Sequence, residues 1–398
     1  MKRVLLFLSF VACTFQGFAQ LKGDGYYRVR SYDQQRYVTL VDNRGSIDVH
    51  TTSADMGALC NVYGFERVVS SPASIIYIKK MSTGYDLQSQ GTGSFEIVSC
   101  EVTISSTGDG TYFAYVSKAG FTKYLADAVI SWMLDDDDPD RIWGTMAGID
   151  KPSPTSTEAD WEILPVSSSS DNYFGITPTV SAGNAYYQSF YAIFPFTFSS
   201  TGMAAYYVSQ VDPSKSAVVI KEMTGGVPKT TPVIIKCSSD KPANNKLNVG
   251  AAATGSAPGN LLKGVIFCNN VAEATGHKNV VEYNPETMRV LGTASDGSLA
   301  FVKSSTLQYI PANTAYITVS SDAPAELKVY TQDEYDQLPA GTQGDLNDDA
   351  IVDIQDLGIV VKMILGSLSK TTQADLNGDG DVDIQDLGII VKKILNNE

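Results

Sequence analysis

Up to about residue 330 the chain consists of short runs of aromatic and β-branched residues, separated by polar turns rich in glycine, proline, serine and asparagine. Such runs predict β-strands rather than helices. Within residues 21–167 one unit occurs three times: a strand, a short polar turn, and a second strand with an aromatic residue near its start. The strand pairs are predicted at residues 26–30 and 36–40, 75–78 and 84–87, and 112–116 and 123–126.

This threefold repetition over residues 21–167 resembles a β-trefoil, in particular the ricin-B-like lectin group. The resemblance implies a module that binds glycans. The Gln-x-Trp motif of those lectins is absent, because Ala159 stands two positions before Trp161. The expectation is therefore a trefoil-like fold whose sugar binding does not rest on that motif.

Residues 171–330 are again rich in strands. Two similar turn-and-strand segments, 227–234 and 310–317, lie in this region, and turn residues recur along it. Regularly spaced turn signals favour an antiparallel, sandwich-like β-module. The serine run at 167–170 separates it from the first module, and residues 331–343 are predicted as a linker to the C-terminus.

The hydrophobic period changes to that of a helix only near the C-terminus. Leu357, Val361, Ile364 and Leu365 follow the spacing of one helical face. The equivalent positions thirty residues later are Leu387, Val391, Ile394 and Leu395. We therefore predict two helices whose apolar stripes pack against each other.

Each predicted helix follows a twelve-residue acidic loop, loop one at 345–356 and loop two at 375–386. Calcium prefers oxygen ligands, and a loop of this length offers them from positions 1, 3, 5, 7, 9 and 12, with the backbone carbonyl acting at position 7. The predicted ligands of two calcium ions are Asp345, Asn347, Asp349, Ile351, Asp353 and Asp356 in loop one, and Asp375, Asn377, Asp379, Asp381, Asp383 and Asp386 in loop two. Because the clustered carboxylates repel one another, the metal is expected to be needed for folding.

Residues 344–396 resemble a type I dockerin, since the loops repeat with a thirty-residue offset and carry Asp instead of Glu at position 12. The resemblance implies calcium-dependent attachment to a cohesin-like protein. The contact positions that it implies are Ile354, Gln355, Lys362, Ile384, Gln385 and Lys392, with Val361 and Val391 in addition. The Ile-Gln pair differs from the Ser-Thr pair of the best-known cellulosomal dockerins, so the identity of the partner is not implied. A calcium-stabilised cap without an external partner is the alternative.

The loops differ at position 6, where the chain turns with a positive φ. Loop two has Gly380 and loop one has Ala350. A non-glycine residue in that conformation costs about 1 kcal/mol. Loop one is therefore predicted to bind calcium more weakly than loop two.

The net charge of −15 and the pI near 4.6 disfavour nucleic acid and anionic membranes as partners. The N-terminus is predicted to be a signal peptide, residues 1–19, with lipoprotein processing at Cys13 as an alternative. No later stretch has the ~20 apolar residues of a membrane span. These features predict a secreted or cell-surface protein. Cys60, Cys100, Cys237 and Cys268 then remain, either as the pairs Cys60–Cys100 and Cys237–Cys268 or as unpaired buried thiols.

Candidate catalytic groups are sparse. His50 and His277 have no partner at the spacing of a triad or metal site, which disfavours mechanisms that need a histidine base. Glycoside hydrolysis needs only two carboxylates and stays open. The acidic run 135–140, flanked by Trp132 and Trp143, is interpreted as a solvated loop beside core residues.

The sequence thus predicts a mainly β, multi-domain protein: a signal peptide at 1–19, a trefoil-like module at 21–167, a β-module at 171–330, a linker at 331–343 and a dockerin at 344–398. The leading hypothesis is a non-catalytic secreted protein that docks through calcium and displays β-modules for glycans. The alternative is a carbohydrate-active enzyme, a hydrolase of O-glycosyl bonds, delivered by its dockerin.

Overall fold

The computed structural model describes residues 21, 23–41, 59–88, 99–118, 121–127, 155–266, 281–338, 344–347, 351–371 and 373–396. These residues form a mainly β protein with few helices, which confirms the predicted class. The predicted signal segment with Cys13, the acidic run 135–140, and Trp132, Trp143, His50 and His277 lie outside the described residues.

A closed barrel of six strands forms the first unit. The described strands of this unit are β1 (Gly25–Ser31), β2 (Tyr37–Val41), β3 (Leu59–Tyr63), β4 (Ile76–Lys80), β5 (Tyr85–Gln88), β6 (Ser99–Ser106), β7 (Tyr112–Lys118), β8 (Phe121–Tyr124) and β9 (Trp161–Pro165). The ring runs β1-β4-β5-β6-β7-β9, and it closes because β9 pairs with both β1 and β7. The hairpin β2–β3 leaves the ring between β1 and β4.

The barrel core is built by alternation along the strands, which sends every second side chain to the same face. Tyr27 and Val29 of β1 enter this core together with Ile76 of β4. Trp161 is fully buried there, and its indole N–H donates a 3.0 Å hydrogen bond to the carbonyl of Leu125. The polar end of the indole is thus satisfied inside the barrel.

The second unit consists of a ten-stranded sheet and a three-stranded sheet. Its described strands are β10 (Phe174–Gly175), β11 (Val180–Ala182), β12 (Ala185–Phe190), β13 (Phe196–Phe198), β14 (Ala204–Asp212), β15 (Ala217–Met223), β16 (Val233–Cys237), β17 (Lys246–Val249), β18 (Lys263–Val265), β19 (Met288–Thr293), β20 (Leu299–Val302), β21 (Thr314–Thr318) and β22 (Glu326–Thr331). The large sheet has the order β11-β12-β16-β14-β15-β22-β20-β19-β21-β18, and the small one β10-β17-β13.

The large sheet is curled, so strands from its two halves meet. Thr293 of β19 donates a 2.9 Å hydrogen bond through Oγ1 to the carbonyl of Ser181 in β11. The amide of Tyr191, which follows β12, donates a 2.9 Å hydrogen bond to the carbonyl of Asn313 before β21. The small sheet packs against the large one through Phe174, Phe190, Phe196 and Leu247. One pair departs from the predicted antiparallel pattern, because β15 and β22 run parallel.

The barrel and the second unit share packing. Ile75 and Tyr26 from the barrel contact the phenylalanine-rich core of the second unit, and Ile266 of the second unit belongs to the barrel core. Residues 167–170, predicted as a linker or inter-module turn, form an ordered turn in which Ser168 donates a 2.7 Å hydrogen bond to Asn248. The two β-units therefore meet through a packed interface.

Four α-helices occur in the described residues: α1 (Phe65–Val68), α2 (Gln332–Asp336), α3 (Ile354–Ile364) and α4 (Ile384–Asn396). Helix α2 lies in the segment predicted as a linker. Thr331 and Glu334 form its capping box, and Tyr335 donates a hydrogen bond to Asp212 at the end of β14. Gln210 also donates a 3.0 Å hydrogen bond to the hydroxyl of Tyr335. The start of the predicted linker is thus fixed on the second unit, and 339–343 lie outside the described residues.

Candidate metal and docking site

Helices α3 and α4 pack through a small apolar core. Val360 and Ile390 are fully buried, and Met363 is buried beside them. The predicted stripe is partly wrong, because Val361, Leu365, Val391 and Leu395 are exposed. Helix α3 is apolar around most of its circumference, so spacing alone does not decide which face packs. The buried face is shifted by one position from the predicted one.

Both helices begin with the same cap, formed by two acidic residues of the loop. The Asp353 carboxylate accepts a 2.7 Å hydrogen bond from the amide of Gln355, and the Asp356 carboxylate accepts a 2.8 Å hydrogen bond from the amide of Asp353. Asp383 and Asp386 accept the equivalent bonds at 2.7 Å and 2.8 Å. Position 12 therefore caps the helix in addition to facing the loop.

The carboxylates at position 12 are completely buried in both repeats. Oδ1 of Asp356 accepts hydrogen bonds from the amides of Leu346 and Asn347, and Oδ1 of Asp386 accepts them from Leu376 and Asn377. Burial acts to raise the pKa of Asp386, but hydrogen bonds from backbone amides outweigh burial and leave this pKa lowered. Asp386 is therefore held as a carboxylate inside the fold.

Loop two winds around the side chain of Asp375. Its Oδ1 accepts hydrogen bonds from the amides of Gly378 at 2.7 Å and Asp379 at 3.2 Å, and its Oδ2 accepts one from Gly380 at 2.8 Å. Gly378 and Gly380 have φ values of 74° and 91°, a region that favours glycine. The predicted positive φ at position 6 is thus present in loop two. Asp349 and Ala350 of loop one lie outside the described residues.

The alternating oxygen positions of loop two are held by further local bonds. Oδ1 of Asn377 accepts a 2.9 Å hydrogen bond from the amide of Asp379, and Oδ1 of Asp379 accepts a 3.0 Å hydrogen bond from the amide of Asp381. The side-chain Nδ2 of Asn377 also donates a 2.9 Å hydrogen bond to Oδ2 of Asp379. The side chains predicted to bind calcium therefore also hold the backbone of loop two in its turn.

The donor chemistry of loop two fits calcium. The loop supplies four carboxylates, one side-chain amide oxygen and one backbone carbonyl at the six positions that a calcium loop uses. Within the described residues, no three His, Cys, Asp or Glu side chains are gathered closely enough to hold a metal ion. The Asp375 carboxylate is engaged with amides of its own loop, so calcium binding requires side-chain adjustment within a loop that already has its turn.

Lys370 forms an ion pair with the Asp381 side chain at position 7 of loop two. The hydrogen bond from Lys370 lowers the pKa of Asp381. Position 7 is predicted to ligate through its backbone carbonyl, so the Asp381 carboxylate is free to pair with lysine. Ile351 occupies this position in loop one and is exposed. The ion pair therefore has no equivalent in the first repeat.

Two apolar patches remain exposed on the helix pair. Ile354 and Ile384, at the first turn of each helix, are 74% and 75% exposed. The predicted contact residues Gln355, Lys362, Gln385 and Lys392 are also exposed. Val361 with Leu365, and Val391 with Leu395, extend each patch along its helix. The sequence pattern predicts that Leu365 and Leu395 pack between the helices, but both are exposed and belong to these surfaces.

The second unit contains a buried thiol. Cys237 of β16 is a free cysteine, which favours the unpaired alternative over the pair with Cys268. Cys268 and the side chains of Cys60 and Cys100 lie outside the described residues. Burial raises the pKa of the Cys237 thiol to about 12. A thiol in this state is a packing group rather than a nucleophile.

The C-terminal geometry is that of paired loop–helix repeats, each with a capped helix, an acidic twelve-residue loop and an exposed apolar face. A family model of the dockerin type I domain matches residues 343–395. These residues are therefore a dockerin type I domain, a domain that binds calcium and attaches to a cohesin partner. No curated protein matches the chain.

Dockerin proteins are typically extracellular or attached to the cell surface. Among the described helices, none is long and apolar enough to cross a membrane.

Proposed function

We propose that this chain is a secreted, non-catalytic modular protein that attaches to a cohesin-like partner through its calcium-bound dockerin and displays the two β-units at the attachment point. The observation that carries the proposal is the pair of equivalent exposed faces on α3 and α4. Exposed apolar residues that recur at matching positions are expected at a binding surface. The signal peptide at 1–19 supplies the route out of the cytoplasm.

The contact residues of the first face are Ile354, Gln355 and Lys362, and those of the second are Ile384, Gln385 and Lys392. Each face combines an apolar anchor, an amide and a cation. This composition suits a partner with an apolar centre and an acidic rim. Because the faces are nearly identical, the partner binds either one, with the chain rotated by about half a turn between the two complexes.

One calcium ion in each loop holds the faces in place. The ligands of the first ion are Asp345, Asn347, Asp349, the carbonyl of Ile351, Asp353 and Asp356, and those of the second are Asp375, Asn377, Asp379, the carbonyl of Asp381, Asp383 and Asp386. Bound calcium neutralises the carboxylates and fixes each loop against the first turn of its helix. Because Ile354 and Ile384 lie in those first turns, docking depends on calcium.

The first unit is proposed to be a β-trefoil. The closed six-strand ring supports this, as does the β2–β3 hairpin between two ring strands, since a trefoil consists of a six-stranded barrel and hairpins. The module boundaries predicted at 167 and 171 are kept as the division between this fold and the second β-module.

Glycan binding by the displayed units is supported by a cleft of about 240 Å³ between the barrel and the second unit. Its polar lining residues are uncharged: Ser70, Ser71, Thr177, Gln188 and Asn313. Ser70 and Thr177 are hydrogen-bonded to each other at 2.6 Å, so a sugar would have to share or replace that bond. Hydroxyls and amides match the alternating donors and acceptors of a neutral sugar. A panel of polysaccharides tests this role: binding without product release supports display, and release of shorter sugars favours the hydrolase alternative.

Docking is tested by immobilising the full chain and capturing proteins from culture fluid in calcium and in chelator. Recovery of a cohesin-containing protein in calcium alone supports the proposal. Recovery of no cohesin, or of the same proteins in both conditions, overturns it and favours a calcium-stabilised cap without a partner.

A further inference from the structure

A hydrogen bond between repeats joins the starts of the two calcium loops. Gln373 lies two residues before Asp375, the first ligand position of loop two. Its side-chain amide donates a hydrogen bond to the backbone carbonyl of Asp345, the first residue of loop one. Gln373 is half-buried and Asp345 is buried. The bond therefore connects the residue that lies just before loop two with the first residue of loop one.

The groups on either side of this bond are fixed in one core. Ala374, between Gln373 and Asp375, is fully buried in the core that α3 and α4 share. Leu346 and Leu376, which follow the first residue of each loop, pack against the same core. A shift in the first turn of loop two must therefore move the Gln373 side chain relative to Asp345.

Asp375 is the residue around which loop two winds, since its carboxylate accepts hydrogen bonds from Gly378, Asp379 and Gly380. A calcium ion bound by Asp375 would restrict this winding further. The restriction extends through Ala374 to Gln373, because those residues directly precede Asp375 and are packed. Loop one then has less conformational entropy to lose when its own ion binds.

We propose that Gln373 is a positioning residue that couples the two calcium loops, so that a filled loop two raises the affinity of loop one. The inference rests on the proposed binding of one ion by each loop and goes beyond it, because independent loops would serve docking equally well. Linkage makes the effect reciprocal: the factor by which loop two strengthens loop one is also the factor by which loop one strengthens loop two.

The test is a calcium titration of the full chain by isothermal calorimetry, with Gln373→Met in two backgrounds. Methionine keeps the length and neutrality of glutamine but lacks the N–H donor. In the otherwise intact chain, Gln373→Met weakens loop one by about fivefold, the size of one hydrogen bond. In the Asp375→Ala chain, where loop two is disabled, the same substitution leaves loop one unchanged. Gln337→Met, at an exposed glutamine outside the dockerin, is the matched control.

Equal weakening of loop one in both backgrounds overturns the coupling, because Gln373 would then only hold Asp345 in place. No weakening in either background overturns it as well. Unchanged affinity of loop two in the Gln373→Met, Asp345→Ala chain verifies that the substituted domain folds. If the wild-type chain binds no calcium, the proposed function itself is refuted. If it binds two ions independently, with glutamine or methionine at position 373, only the proposed coupling is refuted.

Discussion

The guanidinium of Arg28, on the first strand of the barrel, donates a 3.0 Å hydrogen bond to Oδ1 of Asn172 in the second unit. The same group donates to the carbonyls of Tyr173 at 2.7 Å and Val68 at 3.0 Å. Arg28 is fully buried, and its hydrogen-bond acceptors are all uncharged. Burial lowers its pKa to about 10, partly offset by Tyr37 and Tyr173, so it stays charged at neutral pH. This side chain fixes the barrel to the second unit.

Arg28→Met is expected to weaken both units together. The substitution keeps an unbranched side chain but leaves buried carbonyls of both units without donors. We expect the free energy of unfolding to fall by about 3 kcal/mol, since unsatisfied buried groups cost roughly 1–3 kcal/mol each. Urea denaturation followed by tryptophan fluorescence and circular dichroism measures the change.

Arg289→Met provides the control for this substitution. Arg289 is also buried, but its guanidinium donates to carbonyls of the second unit alone, those of Pro285, Met288, Ala323 and Pro324. Its loss should destabilise the second unit first. A change below about 0.5 kcal/mol for Arg28→Met, the range of ordinary surface substitutions, would contradict the proposed role of Arg28.

Cys237 is expected to be unreactive in the folded protein. Its pKa is raised by burial from 9.0 to about 12, so the thiol is protonated and enclosed at pH 8. The thiol-specific reagent DTNB should label it only after unfolding in urea, as measured by the difference between the wild-type chain and Cys237→Ala. The folded state favours the neutral thiol, so this contribution to stability is complete below pH 9 and is lost as the pH rises toward 12. Labelling of Cys237 within seconds in the folded protein at pH 8 would show that its thiol is accessible to solvent.

Ala350→Gly is expected to strengthen loop one. The sequence predicts a positive φ at position 6, and under that prediction glycine saves about 1 kcal/mol, roughly a fivefold gain in affinity. Gly380→Ala should weaken loop two by a similar factor, because Gly380 has a φ of 91°. Calcium titration of the full chains measures both. If loop one were the stronger site in the wild-type chain, Ala350 would not be what limits its affinity for calcium.

Glutamate at either docking face should leave partner binding nearly intact. Ile354→Glu removes one of two equivalent faces, so the affinity falls by about twofold, the statistical factor for losing one of two binding modes. The double variant Ile354→Glu, Ile384→Glu should bind at least about tenfold more weakly, as expected when an apolar anchor is lost from every binding mode. An acidic residue in the first turn of a helix is favourable, so the fold is kept.

Surface plasmon resonance against the cohesin recovered by capture measures these affinities. Leu261→Glu, at an exposed leucine of the second unit, is the control. A single-face variant that loses all binding would show that the chain docks in one orientation only. A double variant that binds normally would show that neither face contacts the partner.

The sequence predicts the C-terminal domain well because its constraints are local. Each repeat is defined by features that lie within one short stretch of chain: a twelve-residue acidic loop, the residue at position 6 and a helix cap. Neighbouring residues determine the geometry of these features, so they can be predicted from the sequence. The packing face of α3 was predicted wrongly for a physical reason: Val360 and Val361 are equally apolar, and contact with α4 alone decides that Val360 is buried. With Val360 on the packed face, Leu365 lies on the exposed face of the helix pair.

The β-units are less predictable because their contacts are not local. Strand alternation places Arg28 on the outer face of the barrel, and its burial depends on residues 172 and 173 of the other unit. The parallel pairing of β15 with β22 places Val218 opposite Val329. These residues are far apart in the sequence, so turn residues do not predict the pairing. Curling of the large sheet likewise depends on contacts between its distant strands.

Counting the calcium ions bound to the full chain by isothermal calorimetry shows whether calcium holds the domain at residues 344–396 together. We expect two ions for the wild-type chain, one for Asp375→Ala, and none for the chain with both Asp345→Ala and Asp375→Ala. Calcium binding that persists in the double variant, or is absent from the wild-type chain, would show that these two loops are not the calcium sites.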